Sequence, residues 1–192
     1  MLKGLFGAGR QGGRDDAELG KGVWRRAHDR FRRGLDRFHQ MLEGVEEESM
    51  RAAPAGDAPA GDAPAGDAPA GDAPAGDGGP GAASRNDAAD NYVALVPTAD
   101  ALADLLPLVR SIAARAHAIA PSEGMEIPTG TGGYLNDVHR ELSRAGNALA
   151  AAAEAVAMVR LGAGAVSGVE RRAALVHEHV ARAAELLESK QP

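Results

Sequence analysis

The chain contains no cysteine, which excludes disulfides and thiolate metal sites and leaves no need for an oxidising compartment. Aromatic residues make up only 3% of its 192 residues, so any core must be built from Ala, Leu and Val. Long Ala/Leu runs with little Ile, Tyr or Phe favour helix over sheet. No uninterrupted, strongly apolar run approaches the roughly 18 residues of a spanning segment, and no transmembrane helix is expected. The opening "MLKGLFGAGRQGG" lacks the apolar stretch of a signal peptide. A cytoplasmic protein, at most peripheral at the inner face of the membrane, is the resulting expectation.

Against these absences stands a perfect repeat. "APAGD" is written five times from Ala53 to Asp77. Each copy holds a proline, a glycine and an aspartate, with nothing that builds a core, so it cannot offset the entropy of ordering. Residues 51–87 are therefore expected to be a disordered Ala/Pro/Gly/Asp-rich spacer. It divides a Gly/Arg-rich tail (1–14) and an amphipathic segment (15–50) from a C-terminal region (88–192). The net charge of −6 conceals a polarity: residues 1–40 carry +5, the repeat −5, and residues 91–192 −2. The one local basic excess thus faces an acidic spacer.

Residues 15–48 read as a single helix. Trp24, His28, Phe31, Leu35, Phe38, Leu42 and Val45 alternate four- and three-residue steps, a heptad seam on one face. Arg25, Arg26, Arg30, Arg32, Arg33 and Arg37 form a charged surface on the remaining face. The spacing predicts ion pairs between Asp29 and Arg33 and between Arg32 and Asp36. Gly22, Gly34 and Gly44 each cost about 1 kcal/mol against Ala, so this helix requires a partner to be stable. Its apolar face, Trp24, Phe31, Leu35, Phe38 and Leu42, is the expected partner-binding surface.

The C-terminal region carries three further helical patterns. The first runs from a Thr98 N-cap through Leu102, Leu106, Val109, Ala113, Ala116 and Ala120, with Tyr92, Leu95 and Val96 as a preceding turn or short helix. Pro107 should kink or split it. A Gly/Pro/Thr loop follows at 121–133. The second covers 134–161, with Leu135, Val138, Leu142, Ala145, Leu149, Ala152, Val156 and Val159 on one seam. Ser167 and Glu170 form a capping box for the third, which ends near Ser189. The expected fold class is all-α: an antiparallel three-helix bundle, completed when helix 15–48 docks on it, on a second copy or on another protein.

Motifs for chemistry are sparse. "GAGRQG" (Gly7–Gly12) has dinucleotide-fingerprint spacing, but no second strand or acidic partner follows it. "PTGTGG" before Tyr134 lacks the Lys-Ser/Thr of a P-loop. His117, His139, His177 and His179, with Asp137 and Glu141, are metal-ligating residue types. However, His177 and His179 fall about 18 Å along the bundle from the other two. Glu154 lies among alanines and is read as a surface carboxylate. No serine sits in a nucleophile elbow, so no catalytic, cofactor or metal residue is assigned. The sequence points to a non-enzymatic helical interaction or scaffolding protein acting on a protein partner or on itself. The alternative is a peripheral membrane adaptor that uses the basic aromatic helix. A small enzyme or anion-binding protein built on loop 121–133 is less supported, and nucleic acid is the least favoured partner.

Overall fold

The computed structural model describes residues 15–52 and 80–189. The expected tail at 1–14, with its "GAGRQG" motif, and the repeat at Ala53–Asp77 lie outside the described residues. Those described form helices and no strand: α1 (Val23–Ala52), α2 (Pro80–Ala103), α3 (Leu105–Ile119), α4 (Tyr134–Arg160) and α5 (Val166–Ser189). One helical turn, 15–19, precedes α1.

The expected single helix from 15 to 48 is thus broken. Gly20 has φ 66°, and a Cβ at this position would overlap the imidazole of His117, so a side chain here would both strain the backbone and meet that ring. Beyond the break, every seventh-residue anchor points inward. Trp24, Phe31 and Phe38 are 0% exposed, and Leu35, Leu42 and Val45 are buried with them. The glycines that weaken α1 in isolation allow it to approach its neighbours. A methyl at Gly34 would stand 3.1 Å from Leu149, and one at Gly146 of α4 would stand 3.1 Å from the stem of Arg30.

α2 begins at Pro80, inside the expected spacer, with proline at the first helical position where its missing N–H costs nothing. It then runs through Pro97, so Thr98 is no cap. Pro97 lies on the exposed face, where water can satisfy the carbonyl that its ring leaves unpaired. The split that Pro107 demands falls at Asp104. This puts Pro107 in the first turn of α3, where no backbone donor is needed. α2 and α3 continue one another as a bent rod.

Four helical rods therefore surround one core. α4 meets α1 and α5, while α2 and α3 meet α1 and α5, so α4 and the α2–α3 rod occupy opposite corners. Trp24 Nε1 donates to Ala120 O at 3.1 Å, joining the start of α1 to the end of α3, so these run antiparallel. Arg160 Nε donates to Glu48 at 3.1 Å, joining the ends of α1 and α4, which run parallel. Loop 121–133 thus crosses the diagonal, and its positive-φ Gly130, Gly132 and Gly133 turn the chain into α4. The α4–α5 turn is a Schellman motif: Ala163 N donates to Met158 O (2.9 Å) and Gly162 N to Val159 O (3.0 Å), with Gly162 at φ 69°. α5 opens at Val166, which puts Ser167 inside the first turn instead of in the expected capping position.

Since α1 contributes the largest buried side chains, it should unfold with the other rods. Phe31→Ala is expected to cost about 3–5 kcal/mol. Urea unfolding followed by helicity and by amide exchange should show one transition shifted for α4–α5 as well as for α1. Unchanged protection of α4–α5 would mean that α1 is an appendage.

Candidate functional site

The residues expected to bind a partner, Trp24, Phe31, Leu35, Phe38 and Leu42, are all buried against the chain's own helices. What α1 offers to the outside is its arginine face, and that face is divided in two by charge.

Arg25 and Arg32 turn toward the acidic turn at 15–19 and toward Asp29. Arg25 meets Asp16 at 2.8 Å, Asp29 at 2.8 Å and Asp15 at 3.7 Å, and Arg32 reaches Asp29 at 4.0 Å. Asp29 therefore pairs backward, not with Arg33, because Arg25 is held in place by three carboxylates together. No Arg32–Asp36 pair is seen among the described residues. Arg110 of α3 completes the clasp, meeting Asp15 at 2.7 Å and Glu18 with two nitrogens. Asp15 is only 4% exposed. Burial acts to raise its pKa, but the hydrogen bond and charge of Arg110, with Arg25 and His28, outweigh burial and hold it below the usual carboxylate value. His28, buried beside this cluster with Nδ1 3.2 Å from Asp29, has its pKa lowered by burial despite the carboxylate. Asp15, Glu18, His28, Arg32 and Arg110 line an open cleft of about 650 Å³. Its cations and anions already neutralise one another. Sequence periodicity did not single out Asp15 or Arg110, which are 95 residues apart.

Arg26, Arg30, Arg33 and Arg37 point outward. Arg26 donates to the carbonyl of Gly124, a neutral acceptor that leaves its charge uncompensated. Arg33 and Arg37 have no hydrogen bond or ion pair among the described residues. Arg30 lies over Gly146. The field of Arg30 reaches His139, whose pKa is lowered first by burial and then by that arginine.

The four histidines do different jobs. His139 packs edge-on against Trp24, with ring centroids 5.9 Å apart. His117 Nδ1 accepts from Ser122 N–H at 3.3 Å and so fixes the exit into loop 121–133. His179 Nδ1 lies 2.7 Å from Glu141, two residues beyond His139, so the expected separation of about 18 Å along the bundle does not hold for it; the other Glu141 oxygen accepts from Arg144 at 2.6 Å. His177 is half-buried on α5. Among the described residues no three His, Asp or Glu side chains gather as metal ligands. Every buried side-chain N or O there has a hydrogen-bond partner. Glu154 is exposed. Loop 121–133 borders a shallow cleft of about 760 Å³ and presents Met125 at 75% exposure between Glu123 and Glu126.

One apolar surface remains. The stretch Asp87–Ile119 is long and apolar enough by composition to cross a membrane, contrary to the sequence expectation. Its most apolar 18-residue window has mean hydropathy 1.5 and is 22% buried. Val93 is 69% and Leu108 40% exposed along it. No known sequence family matches the chain, and no curated protein or solved structure does either.

The buried histidines set a pH dependence. Folding lowers the pKa of both His28 and His139 from 6.5. The unfolded chain therefore takes up protons first as pH falls below that value, and stability falls with it. The slope is at most about 1.4 kcal/mol per pH unit for each histidine. Asp15 adds a further loss below its ordinary value of 3.8, where the unfolded carboxyl protonates first. Urea midpoints measured from pH 7.5 to 5 should decline, and His139→Gln should flatten that decline. A midpoint that rises on acidification would contradict the assignment.

Proposed function

We propose that the protein is a non-enzymatic helical interaction protein. It docks an amphipathic helix of a protein partner along the outer face of the α2–α3 rod. The observation that carries this reading is that, among the described residues, the stretch apolar enough to cross a membrane has an 18-residue window of which only 22% is buried in the fold. Isolated exposed apolar residues are ordinary, but Val93, Leu108 and Ile119 stand exposed along the same α2–α3 rod. Val93, Pro97 and Leu108 lie on that outer face beside the exposed carboxylates of Asp100 and Asp104. The fitting partner is thus an apolar helix flanked by lysine or arginine.

Two observations favour a protein over a bilayer as the partner. The other face of the same rod carries Leu95, Ala99, Leu102, Val109, Ile112 and Ala113 in the core. Moving the rod into lipid would open that core. The aromatic residues that an adaptor would insert from α1 are likewise buried. A cytoplasmic location belongs to this reading.

A synthetic amphipathic Leu/Lys helix of about 18 residues is a suitable probe. Fluorescence anisotropy should register binding to the intact chain. The double change Val93→Asn with Leu108→Asn, which removes apolar contact without adding charge, should weaken it at least tenfold while the thermal melt stays within the range of surface substitutions, about ±0.5 kcal/mol. Equal binding by the double variant, or flotation of the intact chain with anionic liposomes, would overturn the reading.

A further inference from the structure

A second surface, independent of the α2–α3 face, is the outward arginine ribbon of α1. Arg26, Arg30, Arg33 and Arg37 recur every three or four residues on the solvent side of one rigid helix. Arg30, Arg33 and Arg37 have no hydrogen bond or ion pair among the described residues, and exposed Asp36, beside Arg37 on the helix, is paired with none of them. The next turns of the same helix reverse the sign, with Glu43, Glu46, Glu47 and Glu48. α1 is thus a polarised rod, basic in its first half and acidic over its later turns, with Arg51 the one cation next to Ala52. The chain that leaves at Ala52 carries Asp57, Asp62, Asp67, Asp72 and Asp77 and no basic residue before Pro80.

We propose that Arg33 and Arg37 form an anion-docking surface occupied at low ionic strength by the aspartates of the chain's own repeat. Charge complementarity selects the occupant, and reach selects the arginines. Arg37 lies about 22 Å along α1 from Ala52, and Arg33 about 28 Å. The return is longer, because α2 runs antiparallel to α1. Tyr92 hydrogen-bonds Glu46, so Pro80 projects about 18 Å further from the arginines than that level. A round trip needs about 54 Å to Arg37, about 66 Å to Arg33 and about 87 Å to Arg26. The 27 residues from 53 to 79 span at most about 84 Å drawn out in polyproline-like form. Arg33 and Arg37 are in range, Arg30 is near the limit, and Arg26 is out of reach. Asp62, Asp67 and Asp72, at the middle of the segment, are the residues that arrive.

The glutamates near Ala52 repel the repeat from its own anchor, which favours the basic half. Tethering supplies an effective concentration that a free acidic peptide would have to match. The repeat therefore acts as a built-in competitor on a surface for acidic polypeptides. Nucleic acid fits less well: Trp24, Phe31 and Phe38 are buried, so no aromatic ring of α1 stands beside the arginines for base stacking.

Because the chain lacks cysteine, Ala65→Cys gives a single point for a nitroxide on the full-length protein. At about 10 mM salt, where screening extends about 30 Å, the Arg33 and Arg37 amides should be paramagnetically broadened. Replacing all five aspartates with Asn, or raising the salt to about 0.5 M, should cut that broadening at least threefold. The aspartate-to-Asn chain should also bind poly-L-glutamate at least fivefold more tightly than the parent, and Arg33→Gln with Arg37→Gln should remove that gain. Unchanged α4–α5 amide shifts would certify the fold of each variant. Broadening that survives Asn replacement overturns the proposal. So does broadening that grows with protein concentration, which would make a second copy the occupant, or stronger competition by a short DNA duplex than by polyglutamate.

Discussion

Closure of the α1 aromatic seam is the interaction on which the rest of the molecule depends. The other rods are rich in alanine, which permits close approach but contributes little apolar area per residue at about 25 cal/mol per Å². Trp24, Phe31 and Phe38 supply bulk that Ala113, Ala145, Ala152 and Ala173 cannot. Their insertion also orients everything at that end. The Trp24 indole holds Ala120 and meets His139 edge-on, while Gly20 lies over His117 and Gly22 over Ser122. Loop 121–133, the acidic turn and the starts of α1 and α4 are thereby fixed together.

The same closure decides what the surface can do. An amphipathic basic helix has two faces to offer, and here the apolar one is used internally. The arginines are left sorted by their neighbours: those facing α3 are neutralised in a clasp with Asp15, Asp16, Glu18 and Asp29, and those facing away stay uncompensated. Ion pairs of this kind, buried only at Asp15, add little net stability, but leaving the Asp15 carboxylate without its arginines would be costly. The clasp thus acts mainly as a register pin for the turn at 15–19.

Much of the all-α architecture was legible in the residues. The seams of α1, α4 and α5 could be read because large apolar side chains recur without a fault, and the core takes up the same positions. What escaped prediction was set by contacts between distant segments. Nothing local in "ELGKGVW" reveals that His117 will press on Gly20. Arg25 and Arg33 stand equally far from Asp29 along the chain, and only Asp15 and Asp16, brought in by the preceding turn, break the tie. Thr98, after Pro97, looked like an N-cap because the sequence does not say that the proline ring will face water. Glu141 and His179 lie 38 residues apart, and helix packing alone makes them partners. The candidate surface was half legible: the arginines were singled out, but not which of them would be left without a counter-charge.

The crossing of the chain between α1 and α2 has one further consequence. Both ends of residues 53–79 belong to helices already packed side by side, so the intervening segment is a closed loop in the folded state. Closure entropy grows only with the logarithm of loop length, so one more or one fewer five-residue unit changes the folding free energy by about 0.1–0.2 kcal/mol. The fold is therefore nearly blind to the number of repeats. Tandem identical units are the kind of sequence that gains and loses copies by slippage. The architecture lets that number drift without penalty to the core, so any selection on it must act through what the loop touches from outside.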